Sequence, residues 1–259
     1  MTKSLHTIAH SLFQPSRKIP NVTVTGVKLN SSQVEAGDLF IAIPGTKVDG
    51  HDFISDAIDS GAIAIISNGR DVGKLSVPQI KVANPRRAAS IVAAEYYGHP
   101  TKDLIVLGIT GTNGKTTTAS LLFSILNNAG HKTAQLGTLG TIADGFNQEA
   151  TLTTPDPISL QKTFSELRDA DFSHIVMEVS SHALDQYRVA DVEFDVALFT
   201  NLTPEHLDYH ASIEAYYQAK ARLFRMLPLE STAIVNESDP NGLRMAEETN
   251  APTLTFSRS

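Results

Sequence analysis

The chain contains no cysteine among its 259 residues, which removes disulfides, thiolate metal sites and cysteine nucleophiles from consideration. It has no block of lysine or arginine, and its formal net charge is −7. Both features argue against nucleic acid or an anionic membrane as the main partner, so a bound polyanion must be held by a local site. No apolar run approaches membrane-spanning length, and no basic stretch followed by an apolar core opens the chain. A cytoplasmic protein without membrane association is therefore expected. Internal repeats and low-complexity tracts are also lacking. What remains has a hydrophobic fraction of 41% and a charged fraction of 19%, as in soluble globular proteins. The length suits one large or two ordinary domains.

Two α/β sections meet near Gly98-His99-Pro100-Thr101, giving expected domains over residues 1–99 and 100–259. In the first, residues 22–29, 39–43, 62–67 and 79–82 read as strands and 53–60 as a short helix. Asn84-Pro85 caps a further helix that runs to Tyr97, with proline at its first position. In the second, strands are expected at 104–109, 174–179, 196–200 and 232–235, and helices at 117–128, 159–169 and 212–226. Continuous apolar strands alternating with helices imply α/β architecture with a mostly parallel, doubly covered sheet. Thr253-Leu254-Thr255-Phe256 reads as one more strand, three residues before the last. With no closing helix after it, the second section is expected to be cut short.

The most informative segment is Gly108-Ile109-Thr110-Gly111-Thr112-Asn113-Gly114-Lys115-Thr116-Thr117. An apolar run delivers the backbone into a glycine-rich turn that ends in Lys-Thr and opens a helix. Strand, glycine loop, lysine, hydroxyl and helix together make a phosphate cradle. Backbone N–H groups and the helix N-terminus face the anion, the lysine reaches the β/γ-phosphates, and a threonine hydroxyl holds Mg²⁺. The strict pattern would place glycine where Ile109 stands, so this is a variant of it. The competing reading is a tight glycine turn with an incidental lysine.

Three further stretches can carry chemistry. Glu178 ends the apolar run Ile175-Val176-Met177, at the C-terminal edge of a strand in the same sheet, where an acid can meet Mg²⁺; alternatively it faces water or caps the next element. Ser180-Ser181-His182-Ala183-Leu184-Asp185-Gln186-Tyr187-Arg188 can bind an acidic, hydroxylated substrate, or it is a polar loop with helix-capping serines. No G-x-S-x-G elbow surrounds either serine, so a serine nucleophile is not indicated. Residues 200–210 place two histidines and two acids in one loop, yet a lone loop histidine is more often a surface residue. Lys220 sits in a helix beside Tyr216, Ala219, Leu223 and Phe224. Read locally, it is a solvated helix lysine.

Taken in order, these motifs resemble those of the Mur ligases, the ATP-dependent amide-forming enzymes of peptidoglycan synthesis, and most of all their tripeptide-forming branch. Gly111 to Thr117 is shared with folylpolyglutamate and cyanophycin synthetases. More specific are Met177-Glu178-Val179-Ser180-Ser181-His182 through Arg188-Val189, Thr200-Asn201-Leu202 with His206-Leu207-Asp208-Tyr209-His210, and Ala219-Lys220. Gly37-Asp38-Leu39-Phe40 with Asp49-Gly50-His51 resembles the family's uridine-binding domain. The resemblance covers nearly the whole chain.

The resemblance implies an N-terminal uridine-binding domain, then a P-loop doubly wound ATPase domain that is incomplete here, with the C-terminal Rossmann-like amino-acid-binding domain missing. It implies amide ligation through an acyl phosphate, adding the third-position amino acid to UDP-N-acetylmuramoyl-L-Ala-D-Glu. Leu29, Ser31, Thr46, Lys47 and Val48 would hold the UDP-sugar. Gly111, Thr112, Asn113, Gly114, Lys115, Thr116 and Thr117 would hold ATP, with Thr116 and Glu178 on Mg²⁺. Thr153, Thr154, Ser180, Gln186 and Arg188 would orient the muramoyl dipeptide. Lys220, as a CO₂-derived carbamate (N6-carboxylysine), would hold a second Mg²⁺ with Glu178 and His206, and with Lys115 these make the catalytic set. The expected state is a monomer whose partners are the UDP-sugar peptide and an amino acid, and these residues alone are expected to bind without completing ligation.

The chain departs from the family at two positions. Asn30-Ser31-Ser32 stands where Asp-Ser-Arg is usual, so an arginine is missing near the nucleotide-sugar, and Leu152 stands where asparagine is common. Two alternatives remain: a non-catalytic module that binds UDP-sugar or ATP, and another ligase of the superfamily such as folylpolyglutamate synthetase. The roughly hundred residues before the phosphate loop argue against the latter. A regulatory GTPase is poorer still, since no Asn-Lys-x-Asp motif is present.

Overall fold

A computed structural model describes residues 1–12, 21–45 and 48–257 of the chain. The contacts divide it into two compact units, Met1–His99 with Pro157–Lys162, and Pro100–Asp156 with Thr163–Ser259.

The first unit is built on a four-stranded parallel sheet, in the order Gly26–Lys28, Asp38–Ile41, Ala64–Ser67 and Gln79–Lys81. Successive strand residues point to opposite faces, and both faces are covered. Leu39, Ile41, Ala64 and Ile66 pack with Ala88, Val92 and Tyr96 of the helix Pro85–Tyr97 and with Leu5 and Ile8 of Leu5–Ala9. Phe40, Ala42 and Ile65 pack on the other side with Ile54 and Ala57 of Ile54–Asp59. Asn84 caps Pro85–Tyr97 through Oδ1, accepting from the amides of Arg86 and Arg87, and the helix ends at Gly98 in left-handed backbone. The expected strand over 22–29 is two strands, because its halves find different partners. Thr23–Val24 pairs antiparallel with Lys3–Ser4, and Gly26–Lys28 pairs parallel with Asp38–Phe40.

The second unit carries an eight-stranded sheet. In spatial order its strands are Phe146–Gln148, Gly140–Ala143, Thr133–Gly137, His174–Glu178, Ile105–Thr110, Val196–Phe199, Thr232–Asn236 and Thr253–Phe256. Six of these run parallel, as the alternation of apolar strands and helices requires; the edge hairpins through Gly140–Ala143 and Phe146–Gln148 are antiparallel. Ile175 to Glu178 are buried without a break, so both faces of that strand are covered. Ala119, Leu122 and Leu126 of the helix Lys115–Asn128 pack on Leu107, Ile109, Val176 and Leu198. That helix starts at Lys115, two residues earlier than expected. Thr253–Phe256 pairs parallel with Thr232–Asn236. Among the described residues no helix is long and apolar enough to cross a membrane.

Candidate nucleotide and substrate sites

Strands Ile105–Thr110 and His174–Glu178 are hydrogen-bonded neighbours, in a register that pairs Glu178 with Ile109. The first then enters the glycine loop, and the second ends in an acid. Open parallel sheets bind ligands at this edge, beyond the C-terminal ends of the strands.

The loop is held in shape by residues far away in sequence. Gly111 has φ 147°, and a Cβ on it would collide with Thr200 Oγ1, so the approach of strand Val196–Phe199 requires glycine here. The Asn113 peptide is clamped on both sides. Its N–H donates to Asn201 Oδ1 at 3.0 Å, while its carbonyl accepts from Thr200 Oγ1 at 2.7 Å and Asn201 Nδ2 at 3.1 Å. Thr112 Oγ1 lies 3.2 Å from the Tyr216 hydroxyl and accepts from the Thr203 amide at 3.0 Å. Gly114 begins the helix Lys115–Asn128 with no side-chain cap, so no side chain competes with an anion for its first-turn amides.

Two ammonium groups converge under this loop. Lys115 Nζ donates to the carbonyls of Gly111 at 2.9 Å and Thr112 at 2.8 Å, and Lys220 Nζ donates to the same Gly111 carbonyl at 2.8 Å. Lys220 is 1% exposed and lies 4.4 Å from the centre of the Tyr216 ring. The local reading of a solvated helix lysine is thus overturned: the apolar face of Ile213–Arg225, on which it lies, is packed against the helix Ser181–Asp185 and carries it inside. Burial, then the neighbouring Lys115 charge, push its pKa down to about 7, against a smaller opposite pull from Glu205. Burial lowers that of Lys115 as well, with Glu178 and Glu205 acting against it.

Glu178 is 1% exposed, not a strand-end acid facing water. Its Oε2 accepts from Thr116 Oγ1 at 2.9 Å. A loop threonine hydroxyl and a carboxylate from the neighbouring strand therefore meet at the mouth of the cradle. Mg²⁺ is usually bound by one or two such protein oxygens, with phosphate and water completing its shell, and this donor pair fits it. Among the described residues no three His, Asp or Glu side chains gather into a metal-ligand cluster. His206 is half exposed, in left-handed backbone at φ 54°, with its ring centre 6.1 Å from that of Tyr216 and 4.9 Å from that of His182. Its nearest acid is Glu205, 3.9 Å away.

The residues named for substrate orientation fall into one network. Thr154 Oγ1 donates to the Glu178 carbonyl at 2.9 Å and accepts from the Ser180 amide at 3.1 Å. Arg188 donates to the Thr154 carbonyl and to Gln186 Oε1, each at 2.8 Å. Ser180 Oγ also caps the helix Ser181–Asp185, accepting from the Ala183 amide, so the capping role read from the sequence is real. Thr153 Oγ1 lies 3.3 Å from Thr138 Oγ1. No sequence signal gave Thr138, Thr200, Asn201 or Tyr216 a role of its own. Only the Gly137-Thr138-Leu139-Gly140 pattern, a turn, could have pointed to the first of them.

In the first unit, Leu29, Asn30, Ser31, Phe40, Ile43, Val48, Gly50 and Phe53 line a cavity of about 270 Å³. Leu29 and Ile43 follow the C-terminal ends of strands Gly26–Lys28 and Asp38–Ile41, so this pocket too opens at that edge of its sheet. Thr46 and Lys47 lie outside the described residues.

Two family models match the chain. The Mur ligase middle domain matches residues 109–259, and the model described as Mur ligase family, catalytic domain, matches residues 23–97. The UDP-N-acetylmuramoyl-L-alanyl-D-glutamate–2,6-diaminopimelate ligase of Parabacteroides distasonis is 40% identical over 240 residues, 92% of this chain and 49% of that protein. Its namesake from Pseudomonas putida is 45% identical over 223 residues, 85% of this chain and 45% of that protein. A solved structure bearing the same enzyme name superposes with a TM-score of 0.82 at 27% identity, covering 99% of this chain and 53% of the other. The UDP-N-acetylmuramoylalanyl-D-glutamyl-2,6-diaminopimelate–D-alanyl-D-alanyl ligase of Acinetobacter baumannii shares the fold, with a TM-score of 0.67 at 21% identity, covering 99% of this chain and 54% of the other. The chain spans about half the length of these relatives.

Proposed function

This chain belongs to the Mur ligase family, and from that premise we propose that it serves ATP-dependent amide ligation in the cytoplasm. The substrate is UDP-N-acetylmuramoyl-L-Ala-D-Glu, and the amino acid added at the third position is 2,6-diaminopimelate, the one in the relatives' names. The observation that carries the proposal is the hydrogen bond from the phosphate-loop hydroxyl of Thr116 to the buried carboxylate of Glu178. It brings a hydroxyl and a carboxylate together beside the glycine loop, which supports a nucleotide-bound metal there.

In this reading the first-turn amides of Lys115–Asn128 and the Lys115 ammonium bind the terminal phosphates and offset their charge. Thr154, Ser180, Gln186 and Arg188 orient the muramoyl dipeptide. A free carboxylate oxygen of the dipeptide attacks the γ-phosphorus, the bond to the β–γ bridging oxygen breaks, and ADP and an acyl phosphate result. The amine then attacks the acyl carbon, phosphate leaves with the bonding pair, and the nitrogen gives up one proton to leave a neutral amide. Thr116 and Glu178 would hold Mg²⁺, which when bound neutralises phosphate charge. Burial, with the Lys115 charge, brings the Lys220 pKa down to about 7, so a share of its amine is neutral there, as attack on CO₂ requires. The carbamate so formed releases one proton and gains an anionic oxygen, which with Glu178 and His206 would hold a second Mg²⁺. The cavity beyond Leu29 and Ile43, walled by Phe40 and Phe53, would take the uridine end, with Ser31 and Val48 at its rim.

Binding isolates what these residues do. Calorimetry with a non-hydrolysable ATP analogue in Mg²⁺, and separately with UDP-N-acetylmuramoyl-L-Ala-D-Glu, should show a site for each. Absence of both would refute the proposal.

A further inference from the structure

We propose that Thr138 is a positioning residue for Glu178, gripping both oxygens of its carboxylate, and that glycine at 137 keeps open the room for that grip. The inference rests on the proposed function, in which Mg²⁺·nucleotide meets Thr116 and Glu178.

A buried carboxylate must be surrounded by donors, or its ionised form becomes very costly. Thr138 supplies two of the three here. Its backbone N–H donates to Oε1 at 2.9 Å, and its hydroxyl donates to Oε2 at 3.3 Å. The third donor is Thr116, itself a candidate metal ligand. Thr138 therefore contributes the donors that stay with the carboxylate whatever Thr116 binds. Gripping each oxygen separately fixes the plane of the group, so it sets which lone pairs face the cradle.

The chain path explains why these donors are available. Strand Thr133–Gly137 runs parallel to His174–Glu178 as far as the pair Leu136–Met177. It then reverses into Gly140–Ala143, with Gly137 opposite Gly140. Thr138 and Leu139 form the two-residue turn, where the Thr138 N–H is free of the ladder and turns to the carboxylate. Glu178 passes directly over Gly137. A Cβ there would overlap Oε1 and stand 2.7 Å from Cγ and Cδ, so a side chain would push the acid off its donors. Because the single hydroxyl hydrogen of Thr138 goes to Glu178, its contact with Thr153 is one in which Thr153 donates. Thr138 thereby joins a substrate-orienting candidate to the metal-binding one.

The test is the half-saturating Mg²⁺ concentration for binding of a non-hydrolysable ATP analogue, measured on the whole chain. Thr138→Val should raise it about tenfold, the size typical of groups that orient a metal's ligands. The same variant should leave analogue affinity in EDTA unchanged, and Thr138→Ser should restore the wild-type value. Gly137→Ala should reproduce the Val defect; if it does not fold, the Val and Ser pair still decides. Wild-type Mg²⁺ dependence in Thr138→Val would overturn the proposal alone, and so would an equal loss in EDTA, which marks general structural damage. A wild-type chain whose analogue binding ignores Mg²⁺ would overturn the underlying reading and this proposal with it.

Discussion

The four-stranded parallel sheet and the mixed eight-stranded sheet each open beyond the C-terminal ends of their parallel strands, onto different kinds of surface. At the glycine loop, polar groups are already committed to one another around the buried Lys220 and Glu178: Lys115 and Lys220 to the Gly111 carbonyl, and Thr116 and Thr138 to the Glu178 carboxylate. In the first unit, the cavity is walled mainly by Leu29, Phe40, Ile43, Val48 and Phe53, with few polar groups beside them. The difference follows from what each would hold. Charge that grows on phosphate is best met by donors fixed beforehand in a dry site, whereas a flat ring is held by apolar contact and a few orienting hydrogen bonds. Substitutions should therefore act through charge and metal in the second unit, and through packing in the first.

The largest effect is expected at Lys115. Lys115→Met should weaken binding of an ATP analogue about a hundredfold or more, since a partly buried cation facing phosphate is lost, and should leave UDP binding unchanged. Calorimetry with both ligands checks this, and a variant that weakens the two equally would erase the contrast between the sites.

Next comes stability. Lys220 has its pKa lowered to about 7 from the ordinary 10.5. Between those values the unfolded chain holds a proton that the folded chain has released. Stability owed to this residue therefore rises with pH across that window, and below it the penalty is full and constant. Urea unfolding in carbonate-free buffer at pH 7 and pH 9.5 should show wild type gaining on Lys220→Met as pH rises. Parallel behaviour of the two would contradict the burial of its charge.

Smaller effects belong to the first unit. Phe53→Ala should weaken UDP about fivefold or more, the loss of ring-on-base contact worth ~1–3 kcal/mol, without touching ATP analogue binding. Smallest of all, Ser32→Arg restores the cation usual in the family beside the capped turn Ser31–Gln33. It should tighten UDP by about threefold at low salt, as befits an exposed ion pair, and the gain should shrink as salt rises.

The features legible in the sequence obey local rules. Asn84-Pro85 announces a helix start because cap and first-turn chemistry are local, and the run from Ile105 into Gly111 announces a strand ending in a glycine turn. The α/β class comes from the same alternation. The hairpins from Thr133 to Gln148 were not legible, being short, rich in glycine and polar at their outer edge, with no clear period. Lys220 reads wrongly in isolation because its burial comes from where the helix docks, which its neighbours in sequence do not state. The start of the loop helix at Lys115 is also hidden: three consecutive threonines are weak helix formers, and the first turn is anchored by distant or loop groups, Lys115 on the Gly111 and Thr112 carbonyls and Thr116 on Glu178. Glu178 stands out as an acid at a strand end; its two-oxygen grip by Thr138 depends on a turn forty residues earlier.

The most direct test is a crystal structure of the chain with Mg²⁺ and a non-hydrolysable ATP analogue. The β- and γ-phosphates should lie on the amides at the start of Lys115–Asn128 and on Lys115 Nζ, with the metal bound by Thr116 Oγ1 and the Glu178 carboxylate. Nucleotide bound anywhere else, or a metal that ignores both of these side chains, would contradict this placement.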